Sequence, residues 1–100
     1  MTFSGGSYDE ITRWLWNFLT SHAKRVDPRI EILVEAGDGR EGKSYGARFR
    51  IGDRLGPVSE FDFAEVAANR GGLAWCTALA ERTKERARIE LEGVAAAGAR

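Results

Sequence analysis

The feature that most constrains this chain is a pair of alternating segments between Arg29 and Ile51. Ile30, Ile32, Val34 and Ala36 share one parity, and Tyr45, Ala47, Phe49 and Ile51 share another. A period of two sends alternate side chains to opposite faces of a strand, so each segment reads as a strand with one apolar face. The other faces carry Glu31, Leu33 and Glu35 on the first arm and Ser44, Gly46, Arg48 and Arg50 on the second. Placing Ile32 across from Phe49 in an antiparallel pair also sets Glu31 against Arg50 and Leu33 against Arg48. A single register therefore satisfies both burial and charge.

The connection between these arms has a second reading. Gly37-Asp38-Gly39-Arg40-Glu41-Gly42-Lys43-Ser44 matches the phosphate-loop pattern G-x-x-x-x-G-K-[ST]. Such a loop needs a buried strand before it and a helix N-terminus after the lysine, whose backbone N–H groups and dipole hold the phosphates. The residues from Ser44 to Ile51 alternate and make a poor helix. No apolar run ending in a magnesium-binding aspartate follows, because Pro57 to Asp62 is half polar. A glycine-rich hairpin turn is the reading the residues favour, with nucleotide phosphate binding by Gly37 to Ser44 a distant alternative.

Helices flank the hairpin. Ser7-Tyr8-Asp9-Glu10 is a capping box that opens the first helix. Ile11, Leu15, Phe18, Leu19 and His22 fall on one side of it, with Tyr8 and Trp14 at the margins. Asp27-Pro28 ends it, since the residue before proline is pushed out of the α region. After a turn-dense segment, Gly52 to Pro57, the alternation in Val58 to Phe63 suggests a short third strand, with helix from Ser59 onward as the other option. Asp62-Phe63-Ala64-Glu65 is a second box of the capping type leading into an alanine-rich helix. Asn69-Arg70-Gly71-Gly72 breaks it. Leu73, Cys76, Ala80, Thr83, Ala87 and Leu91 then form one helical stripe, with Trp75 and Leu79 beside it. The charged run from Glu81 to Glu90 reads as its solvated face, and Gly93 is expected to close the helix before a mobile tail over 93–100. Residues 1–6 read as a flexible arm.

The expectation is one α+β domain over residues 1–100 in the order α-β-β-β-α, an antiparallel three-stranded sheet with two helices packed on one face. The 100 residues carry 15 basic and 15 acidic groups, so no overall positive charge argues for nucleic acid. The segment 40–54 is locally basic all the same, with five basic and two acidic residues. With one cysteine there is no intrachain disulfide, which suits a reducing compartment. The start lacks a basic segment leading into an apolar run, and no window approaches a membrane span, so the default expectation is a cytoplasmic protein with no membrane contact. One cysteine and one histidine cannot supply a usual zinc site, and both fall on apolar stripes, where core packing explains them better than catalysis. No cofactor is implied.

Two surfaces remain as candidates for partner binding. Trp16 lies roughly 120 degrees from the centre of the first helix's apolar stripe at 100 degrees per residue. Either the sheet edge or the other helix covers it, or it anchors a protein partner or a second copy of the chain. The second surface is the basic hairpin arm, where Arg40, Lys43, Arg48 and Arg50 beside Tyr45 could grip phosphate and stack a base. The competing explanation is cross-strand pairing of these arginines with Glu31 and Glu35. The order helix, three strands, helix is similar in outline to the double-stranded RNA-binding domain. That resemblance implies a basic cluster opening the last helix, where this chain has acidic Asp62 to Glu65. It also implies a glycine-proline element between the first two strands, whereas Gly56-Pro57 follows the second. The expected function is a small non-enzymatic binding or interaction module of unknown partner, with a homodimer as one form of it and RNA or other polyanion binding as the alternative.

Overall fold

A computed structural model of the chain describes residues 7–98. The elements run α1 (Tyr8–Val26), β1 (Glu31–Glu35), a single 3-10 turn (Asp38–Arg40), β2 (Ser44–Ile51), β3 (Arg54–Leu55), β4 (Ser59–Asp62), α2 (Phe63–Asn69) and α3 (Leu73–Gly98). This is an α+β fold in which every strand pair is antiparallel.

The capping box opens α1 as expected. Ser7 Oγ accepts from the Glu10 N–H at 3.1 Å, and Glu10 Oε1 accepts from the Ser7 N–H at 2.9 Å. Asp27 is the residue at which α1 stops. The hairpin takes the register that burial and charge dictate, with Glu31 opposite Arg50, Ile32 opposite Phe49 and Leu33 opposite Arg48. β2 is the central strand. β1 lies on one side of it, and β3 and β4 pair successive stretches of its other side. The fourth strand, beyond the three expected, arises because Arg54-Leu55 folds back on Arg50-Ile51. Gly52 makes that turn at φ +62°, a conformation that side-chain-bearing residues rarely adopt.

One core runs between the sheet and the helices. Ile11, Leu15, Leu19 and Ala23 of α1 meet Ile32, Tyr45, Ala47, Phe49 and Ile51 of the sheet, with Val66 and Ala67 of α2 and Leu79 and Ala87 of α3 completing it. Its aromatic end joins α1 to the sheet and to α2. The Tyr8 and Tyr45 rings stack at 4.6 Å, and Phe63 meets both edge-on. Tyr8 donates its hydroxyl to the carbonyls of Arg40 and Ser44, while Tyr45 donates to the Tyr8 carbonyl at 2.8 Å. These bonds tie the helix start to the hairpin loop. Trp14 stacks on Phe18 and approaches Trp75, linking α1 to α3.

Two local expectations need correction, and a third cannot be placed on the described residues. α3 does not end at Gly93 but continues to Gly98, so the tail expected over 93–100 is helical through its described part. Ala95, Ala96 and Ala97 favour that continuation. The exposed Arg54 side chain lies over Gly93, its guanidinium nitrogen 2.9 Å from where a Cβ would stand. The expected mobility of residues 1–6 lies outside the described residues. Leu73, placed on the buried stripe of α3 by periodicity, is 83% exposed. It stands in the first turn after the Gly71-Gly72 break, and the buried stripe begins only at Leu79 and Ala80.

Candidate functional site: a cleft beneath the last helix

Of the residues singled out from the sequence, Trp16 lies on α1, Tyr45 in the core and Lys43 in the loop, while Arg48 and Arg50 lie on the outer, helix-free face of the sheet, onto which Arg40 also reaches. There the arginines of β2 are spent on carboxylates. Arg50 pairs with Glu31, its Nε donating at 2.9 Å. Arg48 lies 3.6 Å from Glu35 and donates Nε to the Gly56 carbonyl at 3.1 Å. Arg40 reaches back from the loop to lie between Glu60 at 2.7 Å and Glu35 at 3.8 Å. Gly46 permits this crossing, because a Cβ at that position would be 2.8 Å from an Arg40 nitrogen. The arrangement is a ladder of alternating charge across three strands. Each exposed pair contributes only about 0–1 kcal/mol, so the ladder sets register more than stability.

Lys43 is exposed in the loop, and its backbone N–H donates to the Arg40 carbonyl at 2.8 Å. β2 begins at the next residue, Ser44, so a strand rather than a helix N-terminus follows the lysine. The Arg40 N–H is likewise turned inward, to the Gly37 carbonyl at 2.9 Å. Amides that would have to cradle phosphate are closing turns instead. Tyr45, considered as a platform for a base, has no exposed surface and stacks within the core. Trp16 is 43% exposed, and its indole N–H donates at 2.8 Å to the carbonyl of Ile32 on the free edge of β1. The Trp16 indole thus contacts the sheet edge and blunts an edge that could otherwise pair with another strand.

A different place in the fold has the form of a binding site. On the inner face of the sheet, Ala47 of β2 is paired with Ser59 of β4. Two small side chains side by side cannot fill the space beneath α3. The hollow that results is about 430 Å³, within the usual range for small-molecule sites. Phe49, Phe61, Leu19, Leu79 and Trp75 wall it with apolar surface. Glu60, Glu65, Arg82, Thr83 and Arg86 bring polar groups to it.

Most of those polar groups already have partners. Glu60 holds Arg40, and Arg86 holds the buried Glu90 at 3.2 Å. Thr83 donates its hydroxyl to the Leu79 carbonyl at 2.7 Å. Glu65 accepts from the Trp75 indole N–H at 3.3 Å, which fixes that ring as a wall. Arg82 is exposed and makes no ion pair or hydrogen bond among the described residues.

His22 and Cys76 do not take part in the cleft. His22 packs against Phe18 with the ring centroids 4.6 Å apart and tilted by 51°, its Nδ1 is buried without a partner among the described residues, and burial holds its pKa below the ordinary value, with Arg25 and Lys84 adding to the effect. The Cys76 thiol donates to the Arg70 carbonyl at 3.3 Å. Among the described residues there is no cluster of His, Cys, Asp or Glu able to hold a metal, and no helix long and apolar enough to cross a membrane. Comparisons with family models, with curated proteins and with solved structures find no match for this chain.

Proposed function

We propose that this chain is a non-enzymatic binding module and that its binding seat is the cleft between α3 and the inner sheet face. The observation that carries the reading is the combination of a hollow of about 430 Å³ with aromatic and aliphatic walls at the Ala47–Ser59 pair. The cleft is open to solvent on the side where the exposed Glu60, Glu65 and Arg82 border it, so a guest can enter without disturbing the core. Phe49, Phe61 and Trp75 give the cleft apolar walls that an apolar guest would cover.

The outer face is less suited to a partner of high charge. Its three arginines are matched by Glu31, Glu35 and Glu60, and a polyanion would have to displace those carboxylates before gaining a contact.

The test is a titration with a neutral naphthylamine dye whose fluorescence rises in apolar surroundings. An aromatic body burying about 150 Å² gains roughly 4 kcal/mol, which corresponds to a dissociation constant on the order of 1 mM for a single small guest. Saturable enhancement lost on Ser59→Phe, which fills the hollow, is the expected result. Enhancement that does not saturate, or that survives the filled hollow, rejects the cleft.

A further inference from the structure

We infer that the guest of this cleft is an amphipathic carboxylate, with its apolar body among Phe49, Phe61 and Leu79 and its acid group on Arg82. The inference rests on the cleft reading and adds to it the chemistry of the ligand's polar end. The side chains of the cleft fall into two groups. Glu60 and Arg86 are neutralised by Arg40 and Glu90, which leaves Arg82 and Glu65 as the charges not held in an ion pair. Glu65 is still occupied, since it accepts the Trp75 indole proton. Of these charges only the guanidinium of Arg82 has no partner among the described residues, and it borders the apolar walls of the cleft.

A planar guanidinium offers a fork of donors that matches a carboxylate, and a charge-assisted bond of this kind is stronger than its neutral counterpart. An anionic head also explains why this arginine is left open. Glu90, four residues beyond Arg86, closes that neighbour, while the residue four beyond Arg82 is Arg86 itself, the residue four before it is Ala78, and Glu85, three beyond, is paired with Arg88. Glu65 acts on the same head in the opposite sense, by repulsion, and so tempers the affinity without redirecting the ligand.

The experiment is displacement of the bound naphthylamine dye by three compounds of one shape, hydrocinnamate, hydrocinnamyl alcohol and phenylpropylamine. The carboxylate is expected to displace it at a concentration roughly five- to tenfold lower than the alcohol, with the amine weakest, and added salt should narrow the gap. Arg82→Gln should bring the ratio of carboxylate to alcohol to about one. Glu65→Gln should widen it. Arg88→Gln, which removes a cation paired with Glu85 and remote from the cleft walls, should leave the ratio as it is in the parent chain.

Equal displacement by alcohol and carboxylate overturns the inference while leaving the cleft reading intact. So does preference for the amine, or a carboxylate preference that survives Arg82→Gln. Failure of all three compounds to displace the dye overturns both.

Discussion

Replacing Tyr45 separates a core residue from a surface platform, and the two substitutions Tyr45→Phe and Tyr45→Ala grade its parts. The side chain has no exposed surface, stacks on Tyr8 at 4.6 Å and donates to the Tyr8 carbonyl at 2.8 Å. That carbonyl also accepts the Thr12 hydroxyl at 2.8 Å, so Tyr45→Phe removes a bond without leaving an orphaned acceptor. The expected cost is about 1 kcal/mol. Tyr45→Ala additionally removes the ring from the stack and leaves a cavity, for about 3–5 kcal/mol. In urea denaturation the midpoint should fall slightly for phenylalanine and severely for alanine. A shift of about 4–8 °C in melting temperature accompanies each kcal/mol in a domain of this size. An alanine variant within about 0.5 kcal/mol of the parent would refute the packing argument. The same burial pushes the Tyr45 phenol up to about 12. The folded pKa is raised, so its contribution to stability is full below the ordinary value of 10 and is lost as pH rises toward 12.

Trp16→Phe keeps an aromatic ring but deprives the Ile32 carbonyl of its donor, so it should cost about 0.5–1.5 kcal/mol in a denaturation midpoint; an unchanged midpoint would mean that the indole bond contributes nothing. His22 is the sole histidine, and its pKa is held low in the fold by burial, then by Arg25 and Lys84, with Glu81 opposing. The unfolded chain takes up the proton first, so stability should decline as pH falls from the ordinary 6.5 toward the lowered folded value. His22→Gln should flatten that decline, and a slope that persists in the variant would place its origin elsewhere. Asp27 is held near 2 by hydrogen bonds from Arg29, so its contribution is present above the ordinary carboxylate value of 3.8 and disappears as pH falls toward 2, a lower window that leaves the histidine effect separate.

Much of the fold was readable from residue order because its signals are local. The capping box, the proline stop, the parity of the hairpin arms and the Gly71-Gly72 break each act over a few residues, and each recurs where expected. The parity that placed Tyr45 with Phe49 and Ile51 also placed it in the core, and that argument outweighs its proximity to basic residues in sequence. The pairing of Arg48 and Arg50 with glutamates was contained in the register as well. The continuation of α3 past Gly93 was missed because a single glycine reads as a stop, whereas the alanines after it carry the helix on. The β3 turn was hidden as well, since two residues are too few to show alternation.

The cleft could not be read from either of its sides alone. Ala47 and Ser59 are unremarkable until the sheet pairs them, and Trp75 and Leu79 looked like the margin of an ordinary apolar stripe. Arg82 sat inside a charged run read as solvated, and that description fits Arg88, Glu81 and Glu85. Within that run Arg82 is the charge with no ion pair or hydrogen bond among the described residues, a property of the folded arrangement.

The measurement that bears most directly on the binding seat is a set of backbone amide chemical shifts recorded as hydrocinnamate is titrated into the assigned protein. Binding in the cleft predicts saturable shifts concentrated at Ala47, Phe49, Phe61, Leu79 and Arg82, with Glu31, Leu33 and Arg50 on the outer face unmoved. Shifts confined to that outer face, or none at saturating ligand, would contradict the account and return the search to the charged ladder of the sheet.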